Sequence, residues 1–166
     1  MNYETAKEIE IAIAEYFGIR QNLSVPNVSW GIGIYECDVL VLTKTGYAYE
    51  VEIKISRSDL LRDSRKRHQH WDWQNRIRKF WFAIPEKLVS ESTSIPNRAG
   101  VLAVNRFGQV REIRPASINA SARKLEPDEQ YKLARLGVLR MWALKKKVLA
   151  LKAAQVRLPF DGEKEN

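Results

Sequence analysis

The stretch YECDVLVLTKTGYAYEVEIK, Tyr35 to Lys54, restricts the fold of this chain more than any other part of it. Two apolar-rich arms are joined by Lys44-Thr45-Gly46, which suits a three-residue hairpin loop with glycine in the left-handed conformation. The pattern predicts antiparallel strands over 35–43 and 47–55, with Thr43 paired to Tyr47. Side chains alternate across a strand, so Glu36 and Asp38 share one face, away from Cys37, Val39 and Val41. On the second strand Glu50, Glu52 and Lys54 share a face, and Tyr49, Val51, Ile53 and Ile55 take its opposite. This register sets Asp38 against Glu52 and Glu36 against Lys54 on one side of the sheet; a slip of one residue would scatter them.

Two facing carboxylates repel each other unless a cation lies between them. Hard divalent ions such as Mg²⁺ or Mn²⁺ accept such oxygens while keeping several waters. A lysine beside the ion can orient an attacking water or offset the charge that develops on a phosphate. The plainer alternative is a solvated hairpin face with a Glu36–Lys54 cross-strand pair, a pattern that a chain with 29% charged residues produces readily.

Charge is unevenly distributed along the 166 residues, whose net value is +8. Residues 1–56 hold four basic and eight acidic side chains; residues 57–80 hold eight Lys/Arg against three Asp, and residues 123–157 ten Lys/Arg against three acids. An acidic third followed by two basic segments suits a polyanion held beside a carboxylate cluster. Cys37 is the sole cysteine, which excludes an internal disulfide and a cysteine-based zinc site. There is no charged-then-apolar leader at the start, and no apolar run nears the roughly 20 residues that span a bilayer, so a cytoplasmic protein without membrane contact is expected.

The remaining pattern predicts one domain over 1–155 and a flexible tail over 156–166. Asn2 to Phe17 reads as an amphipathic helix stopped by Gly18, and NLSVPNVSWGIGI as an irregular or edge strand. A helix capped by Ser58 should run to about Trp71. KFWFAIPEKL should be a buried strand stopped by Pro85, with Trp81 in the core, and Glu91 to Arg98 a polar loop. AGVLAVNRFGQVREIRP reads as a hairpin turning at Phe107-Gly108. Pro127 opens a long helix ending near Gln155, with Asp128 and Glu129 where the helix dipole favours acids. Its two apolar stripes, one through Leu133, Gly137, Met141, Leu144, Val148 and Leu151 and one through Tyr131, Val138, Trp142 and Leu149, suggest one docked face and one that packs under the 90s loop or against another chain. A homodimer through this helix is one expectation.

At Asp38 and Glu52-Ile53-Lys54 the chain resembles the PD-(D/E)XK nuclease superfamily, whose signature is an aspartate on one core strand and (D/E)-x-K on the next. Within it, EVEIKISRSDLLRDSRKRHQHW followed by FWFAIPEKL is similar to the MmcB-like bacterial branch of DNA-repair proteins. The resemblance covers roughly residues 4–115, and no proline precedes Asp38. It implies an α/β fold with a restriction-endonuclease-like αβββαβ core, here extended by a β-hairpin and a long C-terminal helix. It also implies Mg²⁺ (or Mn²⁺) held by Asp38 and Glu52 with the Ile53 carbonyl, and Lys54 positioning water. A first-helix glutamate often completes such a shell, Glu10 or alternatively Glu8, and Glu36 is a supporting partner. The expected function is hydrolysis of DNA phosphodiesters in repair or processing. The alternatives are a non-catalytic nucleic-acid-binding module of the same fold and, third, an RNA-processing nuclease.

Arg57, Lys66, His70, Arg76 and Arg78 are the expected nucleic-acid contacts. Asp59, Asp63, Lys66 and His70 fall on one face of the second helix, which reads equally as a cleft edge or a solvated stripe. His68 and His70 lack a nearby third metal ligand and read as surface groups. Trp71 and Trp73, interleaved with Arg76 and Arg78, suit base stacking. In the tail, Gln155 to Phe160 (QVRLPF) resembles the short peptides by which bacterial repair proteins dock on the sliding clamp, the alternative being that Leu158 and Phe160 fold back onto the domain.

Overall fold

A computed structural model of the chain describes residue 3 and residues 5–29, 36–64 and 75–156. Its elements are α1 (Ala6–Tyr16), β1 (Leu23–Val28), β2 (Cys37–Leu42), β3 (Ala48–Ile53), α2 (Arg57–Ser64), β4 (Ile77–Pro85), a 3₁₀ helix (Glu86–Ser94), β5 (Gly100–Val104), β6 (Val110–Arg114) and α3 (Pro127–Val156). Lys66, His68, His70, Trp71, Trp73 and residues 157–160 of the tail motif lie outside the described residues.

The central hairpin forms as its turn dictates. Gly46 adopts φ +89° and the Thr43 N–H donates to the Tyr47 carbonyl at 2.9 Å. The β2–β3 ladder pairs Val39 with Val51, Leu40 with Glu50, Val41 with Tyr49 and Leu42 with Ala48, the register expected from the turn, although both strands are shorter than the pattern predicts. Six strands form one mixed sheet in chain order. β1–β2, β2–β3 and β5–β6 are antiparallel, whereas β3–β4 and β4–β5 are parallel. Parallel neighbours require a crossover, and α2 lies on the β3-to-β4 connection.

Helices cover both faces. On one, Ile9, Ala12 and Ile13 of α1 pack on Val39, Val41, Val51, Ile53, Trp81 and Ala83. A capping box starts α1: the Glu8 N–H donates to Thr5 Oγ1 at 3.3 Å, and the Thr5 N–H donates to Glu8 Oε2 at 2.9 Å. The other face carries two clusters, Leu60 of α2 with Phe82, Ile84 and Val101, and Leu125 and Leu133 with Val25, Leu40, Leu42 and Ile77. Cys37 joins the second of these rather than Val39 and Val41, because strict alternation fails at the first residue of β2.

Three local expectations are corrected. The cap of α2 is Ser56 rather than Ser58: Ser56 Oγ accepts from the Asp59 N–H at 3.2 Å, the geometry of a cap three residues ahead. The 91–98 segment is not a plain polar loop, since 3₁₀ structure reaches Ser94 and Leu88 and Val89 pack beneath it on the α2 cluster. The last helix docks only by its first turns. Leu133 is fully buried and a Cβ on Gly137 would sit 3.4 Å from Val25, whereas every residue from Met141 to Gln155 is exposed. Among the described residues no helix is long and apolar enough to cross a membrane.

Candidate metal and phosphate site

The hairpin register carries the site. The β2–β3 pairing ends at Val39–Val51, and beyond it Asp38 Oδ2 accepts the Ile53 N–H at 2.7 Å. That bond ties the end of the ladder with a side chain and fixes the carboxylate. Glu52 is buried, and its Oε2 accepts from Lys54 Nζ at 3.0 Å with both side chains largely covered. The Lys54 N–H donates to the Ala83 carbonyl at 3.0 Å, so the parallel ladder holds the lysine backbone beyond the end of β3. Asp38, Glu52 and Lys54 thus lie at the same end of the hairpin, Asp38 on the Ile53 N–H and Lys54 on Glu52.

Glu36 is not part of this arrangement in the expected way. It is exposed, lies just before β2, and its anticipated partner Lys54 is engaged by Glu52 instead, two residues away on the same face. Glu50 takes the place that sequence reasoning passed over. It is buried on the same face, and its charge, with those of Glu52 and Asp38, adds to burial in pushing the Cys37 thiol far up from its ordinary range. The signal for Glu50 was its position two residues before Glu52.

The two first-helix glutamates are placed differently. Glu8 closes the capping box, whereas Glu10 accepts from Asn27 Nδ2 at 3.2 Å. Burial raises the Glu10 carboxyl above its usual range; the Asn27 hydrogen bond opposes this, and the nearby Asp38 charge adds to it. Arg140 of α3 also reaches this corner and donates to the Asn27 carbonyl. Asn27 holds α1 and α3 together in a left-handed conformation, φ +50°.

The basic residues divide. Arg57 is exposed and pairs with Glu91 at 3.2 Å, and the Arg78 guanidinium lies 4.0 Å from the centre of the Tyr47 ring. Arg76 is not a surface phosphate contact. It is almost buried, donating to Glu129 Oε1 at 2.6 Å, while Arg123 grips the same carboxylate with bonds of 2.7 Å to each oxygen. Those two arginines, with the Glu126 N–H at 2.8 Å, outweigh burial and hold the Glu129 carboxyl down at about 2. Arg76 therefore locks the start of α3 to the sheet.

Among the described residues no group of three or more His, Cys, Asp or Glu side chains is arranged to hold a metal ion. The donor set nevertheless fits a hard divalent cation, because Mg²⁺ is commonly bound through one or two carboxylates with water and substrate oxygens completing the shell. The crowding of Asp38, Glu50 and Glu52 around one buried thiol is the kind of negative field that such an ion relieves.

The chain is similar in structure to the SPO1766 protein of unknown function from Silicibacter pomeroyi, at 19% identity and a TM-score of 0.56, over 90% of this chain and 92% of that one. At that identity the likeness concerns the fold alone. No protein-family model and no curated protein matches the chain.

Proposed function

We propose that the chain is a metal-dependent DNA phosphodiester hydrolase built on a restriction-endonuclease-like core. What supports this most is the Asp38–Glu52–Lys54 arrangement at the end of the central hairpin, with Asp38 held by the Ile53 N–H and the Lys54 ammonium 3.0 Å from Glu52. Asp38 and Glu52 would hold Mg²⁺ or Mn²⁺, with Glu10 at the outer edge. When bound, such an ion lowers the pKa of its water and offsets phosphate charge. Lys54 adds a fixed positive charge where negative charge grows on the phosphate, and its burial keeps that charge strong. Asp38, tied to the Ile53 N–H, cannot swing away from its position. Arg57 and Arg78 supply cations for the nucleic-acid backbone.

A cleavage assay across branched, nicked and single-stranded DNA and RNA, with and without Mg²⁺ or Mn²⁺, tests the reading. Metal-dependent cutting of DNA that is lost in both Glu52→Gln and Lys54→Ala is the expected result. Cleavage by either variant at the wild-type rate would overturn the assignment. DNA binding with no cleavage by the unaltered chain under any divalent ion would make it a binding module instead.

A further inference from the structure

The second half of α3 leaves the domain with an apolar surface still on it. Met141, Trp142, Leu144, Val148, Leu149 and Leu151 are each between 41 and 67% exposed. Met141 to Gln155 span about 22 Å of helix. Within them Met141, Leu144, Val148, Leu151 and Gln155 recur at spacings of three and four, the a and d positions of a heptad seam. The seam continues the row of Gly137, which meets Val25, so the face that docks on β1 runs on past the sheet edge. Val at a and Leu at d favour pairing with one other helix.

The flanking positions choose the partner. Lys145 and Lys152 occupy the e positions and Lys147 the g position, and the chain has no acidic residue between Gln130 and Val156. A second copy laid along the seam would set lysine against lysine, which heptad pairing penalises. We propose that the free half of α3 is a docking helix for an amphipathic helix of another protein that carries Glu or Asp along both edges of its apolar seam. Met141, Leu144, Val148 and Leu151 would be covered by that partner, and the lysines would select and orient it. Trp142, with Lys145 Nζ 4.9 Å from its ring centre, stands outside the seam at a b position.

The test uses the full chain and two labelled heptad peptides, each with Leu at a and d, one with Glu and one with Lys at e and g. Anisotropy titrations at low salt should show the Glu peptide binding at least about tenfold tighter than the Lys peptide, with the preference weakening as salt rises. Lys145→Glu with Lys147→Glu and Lys152→Glu, all on the exposed helix, should invert it, and Leu144→Ser with Leu151→Ser should abolish binding with helix content unchanged by circular dichroism. Equal binding of both peptides, no binding of the Glu peptide, or sedimentation of the chain as a dimer that the Glu peptide does not dissociate would each overturn the proposal. So would a triple variant that keeps its preference for the Glu peptide and instead loses affinity for duplex DNA.

Discussion

Replacing Glu129 by Gln removes the charge at a point where α3 is held to the sheet by ion pairs on a nearly covered carboxylate. The side chain is 12% exposed and Arg76 opposite it 11%. Its carboxyl falls from 4.5 to about 2 on folding. At about 1.4 kcal/mol per pKa unit this corresponds to roughly 3 kcal/mol of stability, a large share of the 5–15 kcal/mol that typically holds a domain together. Because the folded value is the lower one, the contribution is complete above the unfolded value of 4.5 and fades as pH falls toward about 2. Urea denaturation followed by circular dichroism should therefore place Glu129→Gln about 3 kcal/mol below the unaltered chain at pH 7, with the gap closing toward pH 2. Equal stability at pH 7, or a gap that stays constant down to pH 2, would refute the reasoning.

Asp38→Asn keeps an oxygen to accept the Ile53 N–H but removes a charge that bears on Glu10, so melting without metal should rise by a few degrees while added Mg²⁺ or Mn²⁺ loses its stabilising effect; an intact metal response measured by differential scanning fluorimetry would place any ion elsewhere. Gly100→Ala should cost about 2 kcal/mol or more in a urea titration, because the new Cβ would sit 2.2 Å from Trp81 Cδ1 and 2.7 Å from the Ala116 nitrogen; unchanged stability would mean that this part of the core yields. Ser56→Ala should cost about 1 kcal/mol through loss of the α2 cap, whereas Ser58→Ala should cost little, and the reverse order in the same titration would restore Ser58 as the cap.

What was legible in the chain was what is local. The β2–β3 register follows from a three-residue turn and period-two alternation, both contained within twenty residues, so the pairing of Val39 with Val51 and of Val41 with Tyr49 can be read from the chain. The Ser56 cap was also within reach, since Asp59 stands three residues on in the spacing of a capping box. The Glu129 cluster was not, because Arg76 lies 53 residues away and nothing in its own segment separates an ion-paired arginine from a phosphate contact. Burial decided that, and burial is a property of the assembled sheet. The same limit applies to α3, where periodicity shows which side chains share a row but the edge of β1 determines where their cover ends.

The order of strands in space is also their order along the chain, and that has a consequence during synthesis. Each strand from β2 onward meets its partner as soon as it clears the ribosome, since its neighbour has always been made just before it. α3 is the exception, because it is translated after all six strands and its Leu133, with Leu125, closes over Val25, Val28, Leu40 and Leu42. A nascent chain halted before Pro127 would carry a paired sheet with one oily flank open, a surface on which a chaperone would act and on which stalled chains would stick to one another.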